Sequence, residues 1–434
     1  MKILNSFKFL PFFLVFINYE LFLVFSVFFG IYVYLNKIKI SKYRNVLNLS
    51  FLLFIILRIL SAFDSRYKSF WESLSQKNYA LDGKFIDMQS VFLAFNCNSV
   101  LDGEYLIFGT TQVVNCPHTV SYGPFFDIIG FKNNPLISTA VLTLLVFSAL
   151  FIFYIKSVQS VTAREHYLFT LFALSPPVNF VLERMNFDIV VYIFVYLIFK
   201  YVENSYLKNS LLFLLVFMKF YPIFLIIGNT AYNFIKKNTE KFKIDLIFLV
   251  LSIYFLLYLN FIGNSIANSV RPFRPDRTFG LLSESLNYKN LYDMNSLYFY
   301  VMLIFLLLAI TLYQKKYFKF SNILDDNFTF SITTMFLLLS LFANYDYRLS
   351  FMILISLKII NSPNRIFFYS YFFFIFSSPG ILHSYGELFQ LVENYQFFYI
   401  DIPFYFLISN LILEFYCFSK KNLSKEIFNI LKNN

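Results

Sequence analysis

Charge is what this sequence has least of. Only 14% of its 434 residues are charged, against roughly 25% in ordinary soluble domains, which excludes a chain wetted over its whole surface. There is one tryptophan, and the three histidines, His118, His166 and His383, are too scattered to form a metal set with the three cysteines. The chain contains no glycine-rich phosphate loop, no nucleophile elbow and no HExxH motif, so soluble-type nucleotide chemistry and zincin-type hydrolysis have no support. A cleavable signal peptide is not evident, because the apolar stretch 9–35 is too long for an h-region and has no small-residue cleavage site. Neither internal repeats nor the inverted repeats of transporters can be traced.

What is present is apolar. Hydrophobic residues make up 58% of the chain, with 63 phenylalanines and 33 tyrosines. Asparagine, isoleucine and lysine are abundant too, the usage of an AT-rich genome, so the aromatics are not read as a binding code. At about 20 apolar residues per crossing, the runs suffice for about eleven or twelve membrane spans. The formal charge of +11 sits in short loops between these runs. That is the positive-inside arrangement and not a phosphate-binding face, which excludes nucleic acid as a partner.

These basic loops order the topology. Lys37, Lys39, Lys42 and Arg44 mark the first, followed by Lys156 and Arg164, Lys200 and Lys208, and Lys236 to Lys243. Lys315 to Lys319, Lys358 with Arg365, and Lys420 to Lys425 complete the series. Spans are expected near 46–63, 135–156, 165–182, 187–203, 244–262, 295–313, 327–343, 349–361, 366–383 and 401–418, preceded by the single long run 9–35. Residues 209–235 have basic loops at both ends, so one crossing breaks the alternation. Dividing the run at Lys219–Pro222 restores it, since proline ends or kinks the helix before it, and yields a re-entrant helix pair with Lys219 at its apex. The expectation is an all-α polytopic membrane protein with one transmembrane domain over 1–434. Its one large outer loop, 64–134, is expected to be partly helical. Cys97 and Cys116 both fall in that loop, as a disulfide in an oxidising compartment or as two separate thiols.

On this topology the unusual polar residues gather on the outer side. Asp87 belongs to the large loop, and Glu183, Arg184, Asn186 and Asp188 join two spans in Ser175-Pro-Pro-Val-Asn-Phe-Val-Leu-Glu-Arg-Met-Asn-Phe-Asp188. Arg271, Arg274 and Arg277 follow in Arg-Pro-Phe-Arg-Pro-Asp-Arg, and Asp346 and Arg348 lie in Asn344-Tyr-Asp-Tyr-Arg-Leu349. Charge at membrane depth is costly and marks substrates, ions or partner residues. Outer arginines run against the positive-inside preference, and a phosphorylated ligand accounts for them through charge-assisted hydrogen bonds. The plainer reading makes Glu183–Arg184 and Asp346–Arg348 pairs that pin helix ends, and the Arg271–Arg277 stretch a lipid-headgroup contact.

The string Leu182-Glu-Arg-Met-Asn-Phe-Asp188 resembles the "ERGN-D" segment of bacterial GT-C membrane glycosyltransferases, in particular glycosyltransferase family 87 and its uncharacterised relatives. Lys219-Phe-Tyr-Pro222 is similar to their "K-x-x-P" segment, and Phe85-Ile-Asp87-Met with Ser121-Tyr122-Gly-Pro124 resembles the outer-loop Asp and the "Y-P" string after it. Asn344-Tyr-Asp-Tyr-Arg-Leu349 is similar to their late "DYRL" string. Met185 stands where the family has glycine, and Gly123 separates Tyr122 from Pro124.

The resemblance implies an inverting, mannosyltransferase-like enzyme of the bacterial cytoplasmic (inner) membrane, facing the periplasm or exterior. It would move a sugar from a polyprenyl-phosphate donor to a glycan or glycolipid acceptor. It implies Asp87 as general base, with Lys219, Arg184, Arg348, Arg271, Arg274 and Arg277 on the donor phosphate. Glu183, Asn186, Asp188, Tyr122, Tyr221 and Asp346 would support them. No cofactor is required, and a divalent metal is compatible with the chemistry without any residue set demanding one. The alternatives are a membrane polysaccharide polymerase and a lipid-linked-oligosaccharide flippase or transporter.

Overall fold

The computed structural model describes residues 7–36, 44–63, 104–107, 110–113, 135–184, 188–262, 278–279, 296–341, 344–345, 350–376 and 402–433. These are mostly helical. In chain order the helices begin with α1 (Leu10–Leu14), α2 (Tyr19–Asn36), α3 (Arg44–Phe63), α4 (Pro135–Val158) and α5 (Ala163–Ala173). They continue with α6 (Pro176–Arg184), α7 (Asp188–Tyr201), α8 (Ser205–Met218), α9 (Ile223–Ile235) and α10 (Thr239–Ile262). The remainder are α11 (Ser296–Lys315), α12 (Asn327–Leu341), α13 (Ile353–Ile360), α14 (Arg365–Phe376) and α15 (Ile402–Asn433).

Among the described residues, four short strands qualify the all-α expectation. β1 (Glu104–Ile107) and β2 (Thr110–Val113) form an antiparallel ladder in which Glu104 opposes Val113 and Ile107 opposes Thr110. The described part of loop 64–134 is thus a hairpin, not helix. β3 (Thr278–Phe279) pairs with β4 (Asn344–Tyr345) across a long sequence separation.

Two expected spans are broken. The run 9–35 divides into α1 and α2, where the Asn18 side chain accepts from the Leu21 amide and starts the second helix. The run 165–182 divides at Ser175, because Pro176 and Pro177 cannot continue a helix and instead begin α6. The Tyr19 hydroxyl donates to Leu174 O at this break, at 2.9 Å. α5 itself opens on a capping box, with Thr162 and Glu165 exchanging side-chain to backbone hydrogen bonds. Every residue from Glu165 to Ala173 is buried, which makes α5 the centre of the bundle, packed against α2, α3, α4 and α13.

The basic loops meet at one end. Arg44 donates to Val161 O, and the Arg164 guanidinium lies 5.8 Å from the Tyr34 ring. Tyr34 in turn stacks on Phe368, three residues after Arg365. Lys358 pairs with Asp326 at 3.2 Å and Lys421 with Asp325 at 3.7 Å, while Lys236 donates to Asn422. Loops far apart in sequence thereby share a basic end.

Among the described residues, two helices are long and apolar enough to cross a membrane by length and composition, over Val141–Val158 in α4 and Ile402–Asn422 in α15. Of the first window 39% is buried, and of the second 56%. Outward apolar faces also occur on α10, at Ile247, Val250, Tyr254 and Leu257, and on α11, at Phe305 and Leu312. Exposed apolar area of this extent marks a surface that meets something other than water.

α9 and α12 cross at Gly228, where an added Cβ would lie 2.6 Å from Ser331 Cα. Backbone cannot step aside as a side chain can, so Gly228→Ala is expected to cost about 1–3 kcal/mol through forced helix separation. An unchanged unfolding midpoint for purified Gly228→Ala would contradict this.

Candidate functional site

α8 and α9 form the expected broken hairpin. Lys219, the C-cap of α8, turns extended (φ −147, ψ 141) while its amide still reaches Leu215 O at 2.9 Å. Pro222 then caps α9, a place where its missing N–H costs nothing. The helices run antiparallel: Asn209 in the first half of α8 and Asn233 near the end of α9 both donate to Asp245, each at 2.6 Å, and Asn209 meets Asn229, midway along α9, at 3.3 Å.

The apex carries the site. Lys219 Nζ lies 3.3 Å from Asp188 Oδ1, and the Tyr221 hydroxyl donates to the same oxygen at 3.0 Å. Asp188 is fully buried and the Lys219 side chain is 9% exposed. Asp188 opens α7, where a helix N-terminus favours a carboxylate. The Tyr221 ring meets Phe351 edge-on at 5.6 Å, and Tyr192 of α7 meets the same ring.

Helix lengths set the depth of this centre. α8 rises about 14 Å from Asn209 to Met218, whereas α10 rises about 26 Å from the level of Asn209, at Asp245, to Ile262. Phe217 and Phe255 stack at 3.9 Å and fix the relative level of the two helices. α10 therefore continues about 10 Å beyond the apex. The short helices α7, α8 and α9 end at a recessed, charged centre flanked by a longer neighbour.

The structure brings Asp188, Lys219 and Tyr221 together. Glu183 and Arg184 end α6, and Arg184 is only four residues from Asp188, within about 14 Å even for extended chain. Arg348 precedes Phe351 by three positions. Arg277 immediately precedes β3, and Asp346 immediately follows the residue of β4 that pairs with it. The side chains of Glu183 and Arg184, and residues Asp87, Cys97, Cys116, Tyr122, Asn186, Arg271, Arg274, Arg277, Asp346 and Arg348, lie outside what is described. Among the described residues, no group of three His, Cys, Asp or Glu side chains could hold a metal ion.

Several buried charged positions escape sequence reasoning, among them Arg58, Asp245 and Glu414. Arg58 of α3 is fully buried; its signal was a single arginine inside the expected span 46–63. Asp245 is also fully buried and accepts from Asn209 at 2.6 Å, Asn229 at 2.7 Å and Asn233 at 2.6 Å. Asn327 of α12 adds a donor to Asn229 Oδ1. This network clamps the open base of the hairpin to α10 and α12, opposite the apex.

A small apolar pocket lies among α3, α4, α5, α6 and α7, lined among others by Phe51, Tyr154, Phe169, Val178 and Ile189. Ile189 adjoins Asp188. No protein-family model matches this chain, and neither a curated protein nor a solved structure matches it.

Proposed function

We propose that this chain is a polytopic membrane glycosyltransferase that moves a sugar from a polyprenyl-phosphate donor to a glycan or glycolipid acceptor on the side opposite its basic end. The observation that carries the reading is the Lys219–Asp188–Tyr221 centre, buried at the apex of a broken hairpin and recessed beside the longer α10. Irregular backbone and charge are tolerated at such depth where they line a cavity. The outward apolar faces of α4, α10 and α11 supply the lipid contact, and the gathered basic loops give the cytoplasmic end.

In this mechanism Asp87 takes the proton of the acceptor hydroxyl. The acceptor oxygen attacks the anomeric carbon as the bond from that carbon to the phosphate oxygen breaks, and the lipid phosphate leaves with the electron pair. Negative charge builds on the leaving phosphate, so cations must stand there beforehand. Lys219 is pre-positioned by Asp188 and Tyr221, and Arg184 and Arg348 are tethered close to the same centre by their chain neighbours.

The test is release of polyprenyl phosphate by the purified protein, offered a panel of polyprenyl-phosphate sugars with membrane lipid extract as acceptor. Asp87→Asn is expected to lower turnover about 10²–10⁴-fold, the usual worth of a general base, with an unchanged unfolding midpoint. Normal turnover by the variant removes Asp87 from the role. Buried charge at a broken helix also suits a flippase, and donor binding without turnover, equal in both proteins, is that reading's signature.

A further inference from the structure

We propose that Arg164, Arg365 and Tyr34 form a clamp for the phosphate of an anionic phospholipid in the leaflet at the basic end. The clamp rests on the membrane reading above and not on the transfer chemistry, which lies at the other end of the bundle.

The clamp stands where α2 packs against both α5 and α14. α2 and α14 run antiparallel in close contact. An added Cβ at Gly30 would lie 2.3 Å from Phe372 Cζ, and one turn further the rings of Tyr34 and Phe368 stack at 3.7 Å. Arg365 is one turn further again, on the face of α14 that carries Phe368 and Tyr369 at i+3 and i+4. Tyr369 meets the Tyr34 ring edge-on at 5.8 Å. From α5 the Arg164 guanidinium lies 5.8 Å from the same ring. The Tyr34 hydroxyl is thus within electrostatic reach of both cations.

Both arginines are placed against their own helices. Arg164 is the second residue of α5 and Arg365 the first of α14, and positive charge at a helix N-terminus opposes the macrodipole. Neither makes an ion pair among the described residues. Glu165, beside Arg164, turns its carboxylate to the Thr162 amide instead. The positive-inside preference puts cations in these loops, but it does not ask that two of them face one hydroxyl from the first turns of two helices. An anion between them answers both dipoles and their mutual repulsion.

The surroundings give the class of anion. α2 exposes Leu21, Val24, Phe28 and Leu35, and α14 exposes Ile366 and Phe373, in each case along one stripe of the helix. A phosphate held at the clamp, with acyl chains along these stripes, uses both features, whereas a free phosphate leaves the stripes unexplained. Guanidinium groups read phosphate through paired hydrogen bonds, and the cytoplasmic leaflet is the anionic one.

The experiment titrates purified full-length protein in neutral detergent with phosphatidylglycerol, phosphatidylcholine and inorganic phosphate, counting bound lipid by native mass spectrometry. Wild type is expected to prefer phosphatidylglycerol. Arg164→Gln and Arg365→Gln should each weaken that preference about tenfold, and the double variant about 10- to 100-fold. Lys315→Gln/Lys316→Gln, two cations of the same end on α11 and just after it, should keep it. In lipid-free detergent the double arginine variant should unfold no earlier than wild type, since it relieves the two dipole conflicts. Added phosphatidylglycerol should raise the midpoint of wild type and not of this variant. An equal loss of preference in the lysine variant overturns the clamp in favour of diffuse attraction. A wild type without preference overturns the clamp and leaves the transferase reading to its own assay. Inorganic phosphate displacing the lipid at equal concentration overturns the phospholipid and leaves a plain phosphate site. A wild-type chain that stays monodisperse without detergent overturns the membrane reading and the clamp together.

Discussion

Asp188→Ala and Lys219→Ala each lower the unfolding free energy by about 3–5 kcal/mol, because each removes one partner of a buried ion pair. The loss is largest for Lys219→Ala, since the carboxylate whose cation it removes is fully buried. The double variant Asp188→Leu/Lys219→Met behaves differently. It removes both charges, retains side-chain volume and recovers most of the stability of the parent. It does not recover transfer, because the cation that meets the leaving phosphate has gone. Equilibrium unfolding in mixed micelles, read beside release of polyprenyl phosphate, separates the two roles. A stable double variant that still turns over donor would make the pair a structural clamp only.

The legibility of this centre was uneven, for physical reasons. The break at Lys219–Pro222 could be read directly, because a proline in an apolar run between two basic loops leaves one consistent topology. The same rule applies at Pro176–Pro177, yet no basic loop forces a division there, so the expected span 165–182 runs straight through it. Asn18 gave an even weaker signal: it divides the run 9–35 through a side-chain cap that only geometry reveals. The strings around Asp188 and Lys219 were both singled out, but their pairing was not. They are separated by a whole helical hairpin arm, and any of several outer cations could have answered Asp188.

Other parts were hidden by composition. Asn209, Asn229, Asn233 and Asn327 sit in a sequence so rich in asparagine that the residue carries little information. Packing alone distinguishes these four from their exposed counterparts. Arg58 gives little signal as a single arginine in the expected span 46–63, because periodicity does not say which face of a helix apolar on all sides turns inward. β3 and β4 are two residues each, too short for alternation to appear, and their pairing depends on where α10 and α12 end.

Asp245→Ala is the second large effect expected, of about 3–5 kcal/mol, and it should reach the apex. The substitution removes one carboxylate but leaves three buried amide donors, on Asn209, Asn229 and Asn233, without the acceptor they converge on. Each unmet buried donor costs about 1–3 kcal/mol, less whatever the asparagines recover by turning to one another or by admitting water. Asp245→Asn restores the shape and one acceptor but presents an amide nitrogen to its neighbours, so its loss should be about half as large. Because the network holds the two hairpin arms to α10 and α12 at their base, its failure loosens the geometry that sets Lys219 against Asp188, about 14 Å away along α8. Transfer should therefore fall in both variants although neither touches the apex. Hydrogen exchange at the amides of Phe220, Tyr221 and Ile223 should quicken in the same order. Slow exchange at these amides together with full turnover in Asp245→Ala would show that the apex is held by its own ion pair, independently of the asparagine clamp below it.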